Sequence, residues 1–289
     1  MTVPPALTRE TGRPDSIEFI GNATVLIRHS GFTILTDPNF IHRGEEVPLG
    51  YGLTTTRLTD PSMEIEDLPP LDLVVLSHYH GDHFDQVAEE RLDRSLSIVT
   101  TPQAADTLSE KGFYNARSLE TWETHEVSRD GGSLRLTSLP GQHAPGALTI
   151  ALPDVMGSLL EFTATGGPGV GFDGQPDIRV YITGDTIMFE GLREIPERHP
   201  EIDVALVHLG GTRVLGLTVT MDAEQGVEWL RTIRPHVAIP IHYDDYEAFK
   251  SPLENFTMAV DAAGLGDRVR YLRRGETFDL RARAAARPG

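Results

Sequence analysis

Short apolar runs rich in β-branched residues recur along the chain, each bounded by turn-forming residues. They are IEFIG (17–21), TVLIRHSGFTILTD (24–37, turning at Ser30-Gly31), LDLVVLSH (71–78), LRLTSLPG (134–141), ALTIALP (147–153), SLLEFTA (158–164), RVYITGD (179–185), DVALVHLG (203–210) and VAIPIHY (237–243). Such runs read as strands. The unbroken ones, LVVL, VALV and VAIPI, predict strands buried on both faces. Helical spacing of apolar residues predicts helices over 84–94, 102–111, 222–233 and 253–263. Asp222 is placed to cap the third, with Gln225 three residues on as in a capping box. A strand-rich start followed by mixed strands and helices predicts an α/β (α+β) chain of sheets covered by helices. One domain over 17–280 is expected, with tails at 1–16 and 281–289.

The more telling regularity lies at the end of each buried run. FTIL leads to Asp37, LVVL to His78, LTSLP to His143, VYIT to Asp185, VALV to His208 and VAIPI to His242. Ligands of helix-covered sheets bind just outside the carboxyl ends of strands, where loops carry chemistry on a rigid base. Six polar residues at six strand ends can therefore meet at one edge.

Composition narrows the chemistry. The chain has 289 residues, 39% of them hydrophobic, so it can bury a substantial core. Without cysteine, any metal must be held by nitrogen and oxygen. A net charge of −18 argues against a nucleic-acid partner, whose phosphates need clustered Lys and Arg. The start of the chain has neither a basic stretch nor an apolar core, and no window reaches the ~18 apolar residues of a membrane span, so a cytoplasmic location is the default expectation.

The densest chemistry is SHYHGDHFD (77–85). His78 and His80 alternate by two and project to one side of an extended segment, Gly81 is expected to turn the chain, and Asp82 and His83 then address a second point. Imidazole and carboxylate ligands suit zinc first, with manganese or iron behind it. Two adjacent ions need more ligands than this motif holds, and His143, Asp185 and His242 are the strand-end residues that can supply them.

HYHGDH matches the His-x-His-x-Asp-His signature of the metallo-β-lactamase superfamily, and GQH, TGDT and PIHY come after it in the order of its other ligand motifs. The resemblance runs over roughly 17–245. GNATVLI, ILTDPNF, LPPLDLVVLSHYHGDHFD and PIHYDDY look closest to the branch of N-acylphosphatidylethanolamine phospholipase D-like and ascorbate-6-phosphate lactonase-like proteins. It implies a four-layer αββα sandwich. It also implies one divalent ion on His78, His80 and His143, a second on Asp82, His83 and His242, and Asp185 bridging them. GNA stands where that branch has GHA, and the chain is shorter than the animal phospholipases, so substrate identity does not carry over.

Such a centre implies a hydrolase in which a metal-bridging hydroxide cleaves an ester, lactone, amide or phosphodiester bond of a small, anionic or polarised molecule, with Asp82 also handling the proton. The rivals are a nuclease of the same fold, a non-catalytic metal-binding scaffold and a redox di-iron centre. A homo-oligomer is compatible with the sequence. Asp37 either caps a turn before Pro38 or orients a ligating histidine. His208 is either a substrate contact or a buried, hydrogen-bonded histidine. The long polar stretches 39–66 and 165–177 are expected to border the substrate, with Arg43, Tyr51 and Arg57 as candidate contacts.

Overall fold

Alternate residues of the first apolar runs enter two different cores: Val25 and Ile27 pack in one with Ile34, Leu73 and Val75, while Leu26, Leu35 and Val74 pack in the other. This is the period-two signature of a strand buried on both faces. The computed structural model describes residues 15–50, 52–129, 131–146, 152–164, 176–214 and 216–281. The expected tails fall almost wholly outside them, as do Tyr51 and 165–175.

In chain order the elements begin with β1 (Ser16–Gly21), β2 (Thr24–His29), β3 (Phe32–Thr36), β4 (Glu46–Gly50), β5 (Leu53–Thr56), β6 (Leu73–Val75), α1 (Gln86–Arg91), β7 (Ile98–Thr100), α2 (Pro102–Glu110) and β8 (Ala116–Ser118). They continue with β9 (Thr124–Arg129), β10 (Gly132–Leu139), β11 (Gly157–Ala164), β12 (Ile178–Ile182), α3 (Glu194–Arg198), β13 (Val204–His208), β14 (Arg213–Val214) and β15 (Leu217–Thr218). The last are α4 (Ala223–Ile233), β16 (Val237–Ile241), α5 (Leu253–Ala262) and β17 (Thr277–Asp279).

Two sheets face each other. The first runs β17-β1-β2-β3-β6-β7-β8 and the second β16-β13-β12-β11-β10-β9. The strands β3, β6, β7 and β8 are mutually parallel, as are β12, β13 and β16. Helices α1 and α2 cover the outer face of the first sheet through Ala88, Ala104 and Leu108. On the other side, Trp229 and Leu230 of α4 and Phe256 and Val260 of α5 share one buried cluster with the second sheet's β13 and β16. The result is the expected αββα sandwich.

Local chemistry explains most boundaries. Ser30 and Gly31 both have positive φ, +48° and +80°, as a two-residue turn between His29 and Phe32 requires. Asp85 caps α1 by accepting from Ala88 N–H at 2.8 Å, and Thr101 caps α2 through Ala104 N–H at 3.2 Å with Pro102 in the first turn. Asp222 caps α4 through Gln225 N–H at 3.1 Å, but the capping box is only half formed: Gln225 Oε1 accepts from Met188 N–H at 2.8 Å instead. A tertiary bond has displaced a local one.

Of ALTIALP, residues 147–151 lie outside the described residues, and Leu152-Pro153 are not strand. The patternless stretch 39–66 contains the β4–β5 hairpin, whose alternation is too short and polar to read. SLLEFTA and RVYITGD pair as the antiparallel β11 and β12.

Candidate metal centre

Because β3, β6, β12, β13 and β16 run the same way within their sheets, and β10 runs in the sense of β12, their carboxyl ends deliver Asp37, His78, Asp185, His208, His242 and His143 to one edge of the sandwich. His78 Nε2 lies 3.0 Å from His80 Nδ1, and the His143 ring stands 5.0 Å from that of His78 and 5.3 Å from that of His80. Beside them, Asp185 Oδ2 lies 3.4 Å from His83 Nε2, Asp185 Oδ1 lies 3.5 Å from His242 Nδ1, and Asp82 Oδ2 lies 3.4 Å from His242 Nε2. Ligand atoms ~2.0 Å from one tetrahedral ion stand about 3.3 Å apart, so the His78–His80, His83–Asp185 and Asp82–His242 spacings fit shared cations. His78, His80 and His143 form one buried group able to hold an ion, and Asp82, His83, Asp185 and His242 form a second.

Second nitrogens are held from behind, as ligating imidazoles require. His143 Nδ1 faces the Val219 carbonyl at 2.7 Å, His242 Nδ1 the Leu209 carbonyl at 3.1 Å, and His78 Nδ1 the Ser77 hydroxyl at 3.0 Å. For His143 and His242 the carbonyl makes Nδ1 the donor and leaves the Nε2 lone pair facing the centre. Four buried atoms there have no hydrogen-bond partner: Asp82 Oδ1, His83 Nε2, Asp185 Oδ1 and His242 Nε2. Leaving a buried polar atom unpaired costs about 1–3 kcal/mol, so this donor set fits bound cations.

Electrostatics divides the two groups. Burial, aided by the neighbouring histidines, holds His78 well below its ordinary pKa and pushes His80 down to about 3. Burial also lowers His143. For His83, burial opposes the charge, but Asp185, Asp82 and Asp37 outweigh it and hold the pKa well above the ordinary value. His242 is raised against burial by Asp185 and Asp82. Despite burial, His83 and His208 lower Asp37 to about 2, and His242 and His83 hold Asp185 well below the ordinary range. The first group is thus three neutral imidazoles, while the second balances carboxylates against histidine charge that a cation can replace.

Several expectations change. Asp37 is fully buried and accepts from Ser77 N–H at 2.7 Å, with Oδ2 3.4 Å from both His83 Nδ1 and His208 Nε2. Its carboxylate therefore faces two histidines rather than only capping the turn before Pro38. His208 is fully buried behind His83, its ring stacked at 5.9 Å and its Nδ1 3.1 Å from Thr183 Oγ1. Arg57 is also fully buried, donating to Asn39 Oδ1 and the Thr59 carbonyl, with its guanidinium 5.2 Å from the Tyr246 ring centroid. Arg43 is exposed, with its backbone N–H on Asp60, and no described contact joins it to the centre.

The chain turns at Gly81 as expected, the His80 carbonyl accepting from His83 N–H at 3.0 Å and Phe84 N–H at 2.8 Å, but its φ is not positive, so the turn alone does not demand glycine. A Cβ there would stand 2.6 Å from the Pro48 carbonyl, so the β4–β5 hairpin closes directly over the motif. At the hairpin's end, a Cβ on Gly50 would stand 3.7 Å from His80 Nε2, which puts part of 39–66 beside the first histidine group. A cavity of about 190 Å³ opens on the other flank of the centre, touching His143, Gln142, Thr101, Glu120 and Asp154.

The family model described as Beta-lactamase superfamily domain matches residues 33–243. The chain belongs to this superfamily. A UPF0173 metal-dependent hydrolase of Archaeoglobus fulgidus is 29% identical over 213 residues, 72% of this chain and 82% of that one. One of Staphylococcus carnosus is 26% identical over 261 residues, 90% and 97% of the two chains. The crystal structure of isothiocyanate hydrolase from Delia radicum gut bacteria superposes with a TM-score of 0.73 at 21% identity, over 91% of this chain and 98% of that one. This superfamily's fold is the αββα sandwich described above. Among the described residues, no helix is long and apolar enough to cross a membrane.

Proposed function

We propose that this metal-dependent hydrolase binds two divalent ions, zinc being the first candidate, and cleaves an ester, lactone, amide or phosphodiester bond of a small molecule. His78, His80 and His143 would hold the first ion, Asp82, His83 and His242 the second, and Asp185 would be shared. The observation that carries this reading is the convergence of four buried, unpartnered ligand atoms from Asp82, His83, Asp185 and His242 beside a triad of buried imidazoles.

Bound divalent ions supply Lewis acidity and bring the pKa of a coordinated water towards ~7. The protein does the rest. Asp82 has two carboxylate oxygens, so with one towards the ion the other can accept the proton of an attacking water and pass it to the leaving group. Asp37 and Ser77 keep His83 and His78 in the ligating orientation. The β4–β5 hairpin on one side and the cavity beside His143 on the other bound the space left to substrate, whose size suits a small molecule.

Elemental analysis of metal-replete protein, paired with a screen of ester, lactone, amide and phosphodiester substrates, tests the proposal. About two ions per chain and a hydrolysis lost to chelation and restored by zinc, manganese or iron are expected. Less than one ion per chain would instead favour a scaffold that has lost catalysis.

A further inference from the structure

Asn22 sits in the turn between β1 and β2 with φ +53°, a left-handed conformation that asparagine tolerates better than most residues. It is fully buried, and three of its polar groups bond to two different segments. Its backbone N–H donates to Asp245 Oδ2 at 3.0 Å, its carbonyl accepts from His242 N–H at 2.9 Å, and its Nδ2 donates to the Asp82 carbonyl at 2.5 Å. Asp82 lies beyond a strand of the first sheet and His242 beyond one of the second. One side chain and its own backbone therefore tie together two second-ion residues that come from opposite sheets.

The tie is backed by a buried frame. Asn39 Nδ2 donates to the Gly81 carbonyl at 3.2 Å, one residue before Asp82, while its Oδ1 accepts from Tyr246 Oη at 2.9 Å and from Arg57. Asp245, which receives Asn22, also accepts from Thr59 Oγ1 and from Arg274 Nη1 at 3.1 Å, with Arg57 Nη2 at 3.7 Å. His242 itself has φ +58°, a costly conformation for a residue with a Cβ, which the surrounding bonds must over-determine. Asn22 supplies the bond to its N–H. The first group has no such dependence: His78 and His80 precede the turn and His143 hangs on Val219.

We propose that Asn22 is a positioning residue that locks the Asp82 turn to the His242 loop, so that the second ion's affinity depends on it and the first ion's does not. This rests on the two-ion reading above. The test is calorimetric titration of the metal-free full chain with Zn²⁺, comparing wild type with Asn22→Gly, which keeps the left-handed backbone and removes only the amide. Loss of a group orienting a ligand typically costs 10–100-fold in metal affinity, and that loss is expected in the second binding event alone. Asn22→Ser, whose hydroxyl is too short to reach the Asp82 carbonyl, is read by the same criterion should the glycine variant fold poorly. Both events unchanged, or both weakened equally, would overturn the role of Asn22. A wild-type protein that binds only one ion would overturn the two-ion reading itself.

Discussion

Asp37 Oδ2 lies 3.4 Å from His83 Nδ1, on the side of the imidazole opposite Asp185. The carboxylate at the end of β3 thus decides which way a candidate ligand of β6's loop points. Asp37→Ala should weaken metal binding 10–100-fold, measured by competition with a chromogenic chelator. Asn at this position keeps the shape and hydrogen-bonding capacity, so it should lose less. Unchanged affinity in the alanine variant would contradict this role.

Asp82→Ala removes both a second-group ligand and the proposed proton acceptor, and hydrolysis should become undetectable. Asp82→Asn separates the roles. If it retains the full metal complement and near-normal kcat, proton transfer does not pass through Asp82.

Metal-free protein should lose stability in mild acid. His80 is neutral in the fold because burial, then the closeness of His143, with which it cannot share charge, lowers its pKa from 6.5 to about 3. A lowered folded-state value means that its contribution is complete above the unfolded pKa and is lost as pH falls from 6.5 towards 3. Each pH unit in that window costs about 1.4 kcal/mol. His78 and His143, lowered likewise, add to the same slope, while His83 and His242, raised, are already charged there and do not oppose it. Denaturant titrations of chelated protein between pH 6.5 and 5 should show the decline, and His80→Gln should make it shallower.

Arg57→Met should destabilise the fold without touching the centre directly. It takes the buried cation from beside Asp245 and the Asn39 carbonyl oxygen, leaving Asp245 only Arg274 as counter-ion, and breaking a buried charged pair costs about 3–5 kcal/mol. Urea unfolding would read this out. A loss below ~1 kcal/mol would mean that Arg274 and Thr59 suffice for Asp245.

What the sequence determined by itself was local: strands with a period of two, helices with capping residues, and the ordering of His78, His80, Asp82, His83, His143, Asp185 and His242 at strand ends. Those features come from backbone geometry and from ligand chemistry, both written in neighbouring residues. The tertiary structure decided everything that depends on which segments meet. Arg57 and His208 looked available for substrate, yet the first is buried under Tyr246 and the second behind His83. Gly81 looked like a pivot and is one, but what demands glycine there is clearance for the Pro48 carbonyl. Asn22 and Asp245 stood in the quoted motifs without an assigned role, because their importance lies in bonds that join the first sheet's turn to the second sheet's last loop. Burial and hydrogen-bond partners are properties of those meetings, and no residue carries them alone.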